Sequence, residues 1–196
     1  MSMRNAALER KTKETNIRLE LEIDGSRRVR VSTGIGFFDH MLSLLAYHAC
    51  FGLDLEARGD LEVDQHHTVE DVGLCLGKAL ADALGDKDSI KRYGSSLLPM
   101  DEALCLVAVD LSGRPLLSYD VQLPVQLVSD FDPVCVKEFL QALANQAAMT
   151  LHVRSLGGEN PHHVLEAVFK GIGRALREAV EIDPKGLEIP SSKGIL

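Results

Sequence analysis

Two short stretches carry side chains able to hold a metal ion. They are His66-His67-Thr68-Val69-Glu70 and, ninety-six residues further on, His162-His163-Val164-Leu165-Glu166. On a helix the Glu lies three residues from one histidine and four from the other, so it can share a face with either. The two neighbouring imidazoles point about 100° apart on a helical backbone. That divergence suits two ions better than one. A single copy would read as an ordinary helix start, with an early acid that complements the helix dipole; the recurrence argues against that plain reading.

Sliding the chain by 98 residues sets His40 against Glu138, two different side chains that can both ligate a metal. With them the inventory is His40, His66, His67, Glu70, Glu138, His162, His163 and Glu166, enough for two ions with four protein ligands each. Imidazole and carboxylate donors without thiolate suit manganese, iron or zinc, and sites with open positions favour a catalytic Mn²⁺ over a closed structural zinc. Cys50, Cys75, Cys105 and Cys135 are widely spaced in apolar stretches and form no C-x-x-C pair, so they read as buried thiols in a reducing compartment.

Other polar residues carry weaker signals. His48 follows His40 by two helical turns and reads equally as a pocket residue or a surface polar group. His152, in TLHVR, reads as a core or supporting histidine. Lys170 stands one turn beyond Glu166 on the same helix. Arg92 and Arg114 read individually as surface charges, and the tail EIPSSKGIL offers Ser192 and Lys193 as a small phosphate-holding cluster. Gly34-Ile35-Gly36 turns the chain into a helix rather than cradling a phosphate.

The elements that must position these residues are also written twice. His66–Ala83 and His162–Ala179 are identical at eight of eighteen positions, including Gly77/Gly173, Ala79/Ala175 and Leu80/Leu176. Both have apolar residues at helical spacing, so each motif sits at the start of a helix. Pro161 suits a first-turn position, and Gly85 and Pro184 are stops. Phe37–Phe51 and Val134–Ala148 predict a second pair of helices, followed by strands in LDLEARGDLEV and TLHVR. Earlier strands are expected at Ala6–Arg10, Ile17–Ile23 and Arg27–Ser32, and at Ala103–Leu111 and Pro115–Val121, giving the first half an extra early strand. The fold expected is α/β (α+β): two β-β-α-β-α half-domains related by duplication, their sheets packed on a central helix layer. The repeats span about 4–88 and 94–183, with a joint at Asp86–Gly94 and a substrate-binding tail at 184–196.

Composition limits the function. The 196 residues carry a formal charge of -8, which argues against a nucleic-acid partner. No apolar run could span a bilayer, and the N-terminus lacks the pattern of a secretory signal, so a cytoplasmic address is expected.

GIGFFDHML, DQHHTVEDVG, PMDEAL, GENPHHVLEAVFK and PSSKG resemble, in order and over essentially the whole chain, the imidazoleglycerol-phosphate dehydratase family. The resemblance implies a manganese enzyme of histidine biosynthesis that converts imidazole glycerol phosphate to imidazoleacetol phosphate, with two Mn²⁺ per active site. It implies a homo-oligomer of 24 subunits with metal sites at interfaces. It carries the metal role to the eight ligands named above and makes Glu14, in KETNI, the candidate general base or acid and a substrate contact. Arg92, Arg114, Lys170, Ser192 and Lys193 match substrate-binding positions, and His48 is a further pocket contact. Two other readings of the same residues stay open at this point: a two-metal hydrolase of phosphate esters, and an assembly or metal-storage protein whose doubled motif joins subunits.

Overall fold

The computed structural model describes residues 3–123, 127–184 and 190–191. In chain order the elements are β1 (Asn5–Lys11), β2 (Thr15–Glu22), β3 (Val29–Ser32), α1 (Gly36–Ala49), β4 (Gly52–Gly59) and α2 (His66–Leu84). The second half repeats them as β5 (Tyr93–Met100), β6 (Ala103–Asp110), β7 (Leu116–Asp120), α3 (Val134–Gln146), β8 (Thr150–Gly157) and α4 (Pro161–Ala179).

Each half builds one mixed four-stranded sheet, ordered β1-β2-β4-β3 and β5-β6-β8-β7. The first three strands of each order pair antiparallel, and β3 and β7 join parallel to β4 and β8. The expected duplication is present, with one correction: the second half also has its early strand. β5 carries little strand signal of its own, because YGSSLLPM has a glycine, two serines and a proline. It lies at the edge of its sheet, where a proline lacking an N–H is tolerated.

Alternation in β2 sends Ile17, Leu19 and Leu21 into the core and leaves Arg18 and Glu20 on the outer side. The helices fill the space between the sheets, and pairing is crossed between halves: α1 packs on α4, and α2 on α3. One apolar cluster therefore runs through both halves, and within it Phe139 stacks on Phe169 and meets Phe38 edge to face.

Two matching glycines set the helix spacing. A Cβ on Gly77 would lie 2.6 Å from the Leu143 carbonyl of α3, and one on Gly173 would lie 2.4 Å from the Leu45 carbonyl of α1. The identity seen in the repeat is thus a close helix crossing made twice. His40 and Glu138 are each the fifth residue of their helices, as the 98-residue shift requires. Three cysteines are buried and none is in a disulfide; burial raises the thiols of Cys75, Cys105 and Cys135 to about 11.

Candidate metal centre

The start of α4 is fixed by its own sequence. Asn160 caps it by accepting from the His162 amide at 3.0 Å, and Pro161 occupies the first turn without wasting an N–H. From this turn His162 and Glu166 project toward α1. There His40 Nε2 lies 2.8 Å from Glu166 Oε1, and His162 Nε2 lies 3.2 Å from the same oxygen. One ligand atom from each of the three residues lies within 4.8 Å of the others. The Phe37 ring packs edge-on against His162 and steadies it.

Glu166 is buried, which by itself would raise its carboxyl. The Lys170 ammonium, 2.6 Å from Oε2, and the His40 and His162 rings outweigh that and hold it down to about 2. The carboxylate is therefore ionised and ready for a cation. His40, His162 and Glu166, an imidazole-carboxylate set from two helices, fit a divalent ion by donor type and by convergence.

The matching residues of the other helix pair are less closely drawn together. His66 Nε2 lies 3.7 Å from Glu70 Oε2, while Glu138 is on α3, which packs against α2. Among the described residues, the His40 trio alone forms a tight ligand group.

The neighbouring histidines diverge to different partners: His66 and His162 meet the glutamates of their own helices, whereas His67 and His163 meet Asp60 and Glu102. His67 Nδ1 is 3.0 Å from Asp60, whose hydrogen bond raises the ring's pKa, with a further push from Glu14. His163 Nδ1 is 2.7 Å from Glu102; that bond and the Asn160 amide hold the Glu102 carboxyl down to about 2. His48 lies over Gly173, and burial lowers its pKa, helped by the Lys170 and Arg174 charges.

Glu14 is exposed on the turn between β1 and β2. That turn is anchored to the motif-bearing helix, because buried Asp71 accepts from Thr15 Oγ1 and from the Arg10 guanidinium.

Arg92 and Arg114 lie elsewhere. Arg92 is buried, donates to Asp110 at 2.7 and 3.2 Å, and reaches the Pro190 carbonyl at 2.9 Å. Arg114 is largely exposed, 3.7 Å from the same Asp110. The Arg92 amide bonds the Ala179 carbonyl, at the far end of α4 from His162. At 1.5 Å per residue that is roughly 25 Å from the metal trio. Ser192 and Lys193 lie outside the described residues, although Arg92 holds the chain just before them. His152 sits on the outer face of its sheet, opposite Ala108 and Ser118, not in the core.

Asp60, Glu102 and Asp71 were not singled out from sequence. Glu102 lies in PMDEAL and immediately precedes β6, as Glu14 immediately precedes β2. That equivalence was hidden while β5 went unrecognised.

Residues 33–176 match the family described as Imidazoleglycerol-phosphate dehydratase. The imidazoleglycerol-phosphate dehydratase of Moorella thermoacetica is 55% identical over 193 residues, 98% of each chain. That of Azorhizobium caulinodans is 55% identical over 195 residues, 99% of each. Among solved structures, the Staphylococcus aureus imidazoleglycerol-phosphate dehydratase aligns with TM-score 0.83 and 37% identity, covering 91% of this chain and 99% of that one. IGPD from Pyrococcus furiosus in complex with (S)-C348 aligns with TM-score 0.82 and 37% identity, covering 96% and 100%.

Proposed function

The chain belongs to the imidazoleglycerol-phosphate dehydratase family and is a dehydratase of histidine biosynthesis, and on that premise we propose that it works with two divalent ions, Mn²⁺ foremost, in sites shared between subunits. The observation that carries the metal reading is the convergence of His40, His162 and Glu166 from two helices of opposite halves. Glu138, His66 and Glu70 are the matching set for the second ion, and His67 and His163 complete the ligand inventory.

A bound ion supplies Lewis acidity toward the substrate's imidazole nitrogen, stabilising negative charge that develops on the ring. The chain's own groups do the rest. Glu14 takes the poorly acidic carbon proton of the glycerol chain on its carboxylate oxygen and passes it to the hydroxide that the substrate expels, so that water leaves, Glu14 is again a carboxylate and an enol remains. Return of a proton to carbon converts the enol to the ketone, imidazoleacetol phosphate. Lys170 keeps Glu166 ionised and adds positive charge beside the substrate. Arg92, Arg114, Ser192 and Lys193 hold the phosphate, and His48 lines the pocket.

The proposal that subunits share each site rests on length. A small phosphorylated imidazole cannot bridge the roughly 25 Å of α4 that separates the trio from Arg92. A phosphate grip and a metal site at opposite ends of one helix meet only when different copies bring them together. Exposed Leu97 and Leu106, opposite one another in register, and exposed Leu156, at the register shift between β6 and β8, provide apolar surface for such packing. A 24-subunit assembly is the form proposed. No helix among the described residues is long and apolar enough to cross a membrane, and a cytoplasmic location is proposed with it.

The test is metal analysis and solution mass on purified protein, with a product assay on imidazole glycerol phosphate. Ketone formation that stops with chelator and returns with Mn²⁺, by a large particle, is the expected result. Turnover undiminished after complete metal removal would overturn the metal reading.

A further inference from the structure

His67 and His163 are the second histidines of the two motif copies, and neither joins the tight trio. Each is gripped at the same ring atom, Nδ1, by Asp60 Oδ2 at 3.0 Å and Glu102 Oε2 at 2.7 Å respectively. The two carboxylates come from unrelated places: Asp60 follows β4, and Glu102 closes the β5–β6 hairpin. Both copies keep the histidine, but each half grips it with a carboxylate from a different segment.

Neither grip is incidental to another bond. Asp60 Oδ1 is buried with no hydrogen-bond partner among the described residues, so the carboxylate engages the ring through Oδ2. Glu102 divides its oxygens: Oε2 meets the ring, while Oε1 accepts from the Asn160 amide at 2.9 Å and the Glu159 amide at 3.3 Å. It is thereby fixed to the start of α4, where His163 stands. Asp101 Oδ2, 3.7 Å from His163 Nε2, is beyond hydrogen-bond distance and leaves that nitrogen open.

Resting on the metal reading above, we infer that Asp60 and Glu102 are positioning residues that clamp Nδ1 of His67 and His163, leaving each Nε2 as the lone pair for a metal ion. A carboxylate on one ring nitrogen keeps the proton there, fixes the tautomer and the ring plane, and makes the other nitrogen a better donor. In the first half the hairpin position equivalent to Glu102 holds Glu14, whose charge acts on the His67 ring while Asp60 takes the hydrogen bond, leaving the Glu14 carboxylate for substrate. Division of labour between the two hairpin glutamates follows: one orients a ligand, the other faces the reaction.

The experiment is a Mn²⁺ competition titration against a fluorescent chelator, on the full-length protein and on Glu102→Gln and Asp60→Asn. Glu102→Gln keeps an amide oxygen for Asn160 and Glu159 and so separates the clamp from the helix start. Each variant is expected to bind Mn²⁺ about 10- to 100-fold more weakly, with thermal unfolding in chelator unchanged. Added to His163→Ala, Glu102→Gln is expected to cause no further loss. Affinity of both variants within twofold of the unaltered protein overturns the clamp while leaving the metal reading intact, as does an equal loss in the His163→Ala background. If the unaltered protein takes up no Mn²⁺, the metal reading falls and the clamp with it.

Discussion

Lys170 Nζ lies 2.6 Å from Oε2 of Glu166, one turn back along α4, and both side chains are nearly withdrawn from solvent. The pair presents a charged carboxylate to the metal site from inside the core. Its folded-state pKa of about 2 lies below the ordinary 4.5, so the stabilisation it gives is present above pH 4.5 and is lost as pH falls toward 2. In Lys170→Met, burial dominates and the carboxyl rises. The metal-free variant is expected to lose about 3 kcal/mol at pH 7 and to unfold in acid at a higher pH. Denaturant melts in chelator from pH 3 to 8 check this; coincident curves would show that the pair contributes nothing.

Glu14→Gln keeps the size and the turn but removes the proton acceptor. Activity is expected to fall by about 10²- to 10⁴-fold, with metal content and particle mass unchanged. Assay of the ketone product beside metal analysis tests both halves of the statement. Retained turnover would remove Glu14 from the reaction, and a variant that loses its metal would assign it a different role.

His67→Ala and His163→Ala each remove a ring that lies outside the chain's own trio. Both are expected to lower catalysis and to weaken assembly together. Light scattering with and without chelator reports the second effect. A particle of full size after complete metal removal would show that metal does not hold the subunits together.

Gly77→Ala and Gly173→Ala drive a methyl group into a backbone carbonyl of the facing helix. A carbonyl in a helix cannot step aside as a side-chain tip can, so each change is expected to destabilise by about 1 to 3 kcal/mol. The two values should be similar, because the contacts are repeats of one another. Chemical denaturation gives both numbers; a neutral result at either site would mean that the crossing is looser than its geometry.

Much of this site is legible in the sequence. Adjacent histidines on a helix must diverge, and in both copies the two rings meet different carboxylates. The pairing of His40 with Glu138 followed from a simple shift, and both occupy the fifth place of their helices. What sequence could not reveal is which helix meets which. Crossed pairing depends on the shape of a whole interface, with Gly77 and Gly173 as its contact points, and not on any local preference. β5 escaped notice because its hydrogen bonds to β6, rather than its own residues, make it a strand. Asp60 and Glu102 were hidden for a related reason: each comes from a segment remote from the helix whose histidine it holds, so spacing along the chain carries no trace of the contact.

The crossed helix pairing also bears on ancestry. A chain with one copy of the repeat would expose the inner faces of both its helices, and it could cover them by exchanging partners with a twin, α1 against the twin's α2 and the reverse. Fusion of two such genes would tether that dimer into one polypeptide and free each copy to change independently. The residue that follows the last strand of each half, Asp60 after β4 and Gly158 after β8, shows where that freedom was used.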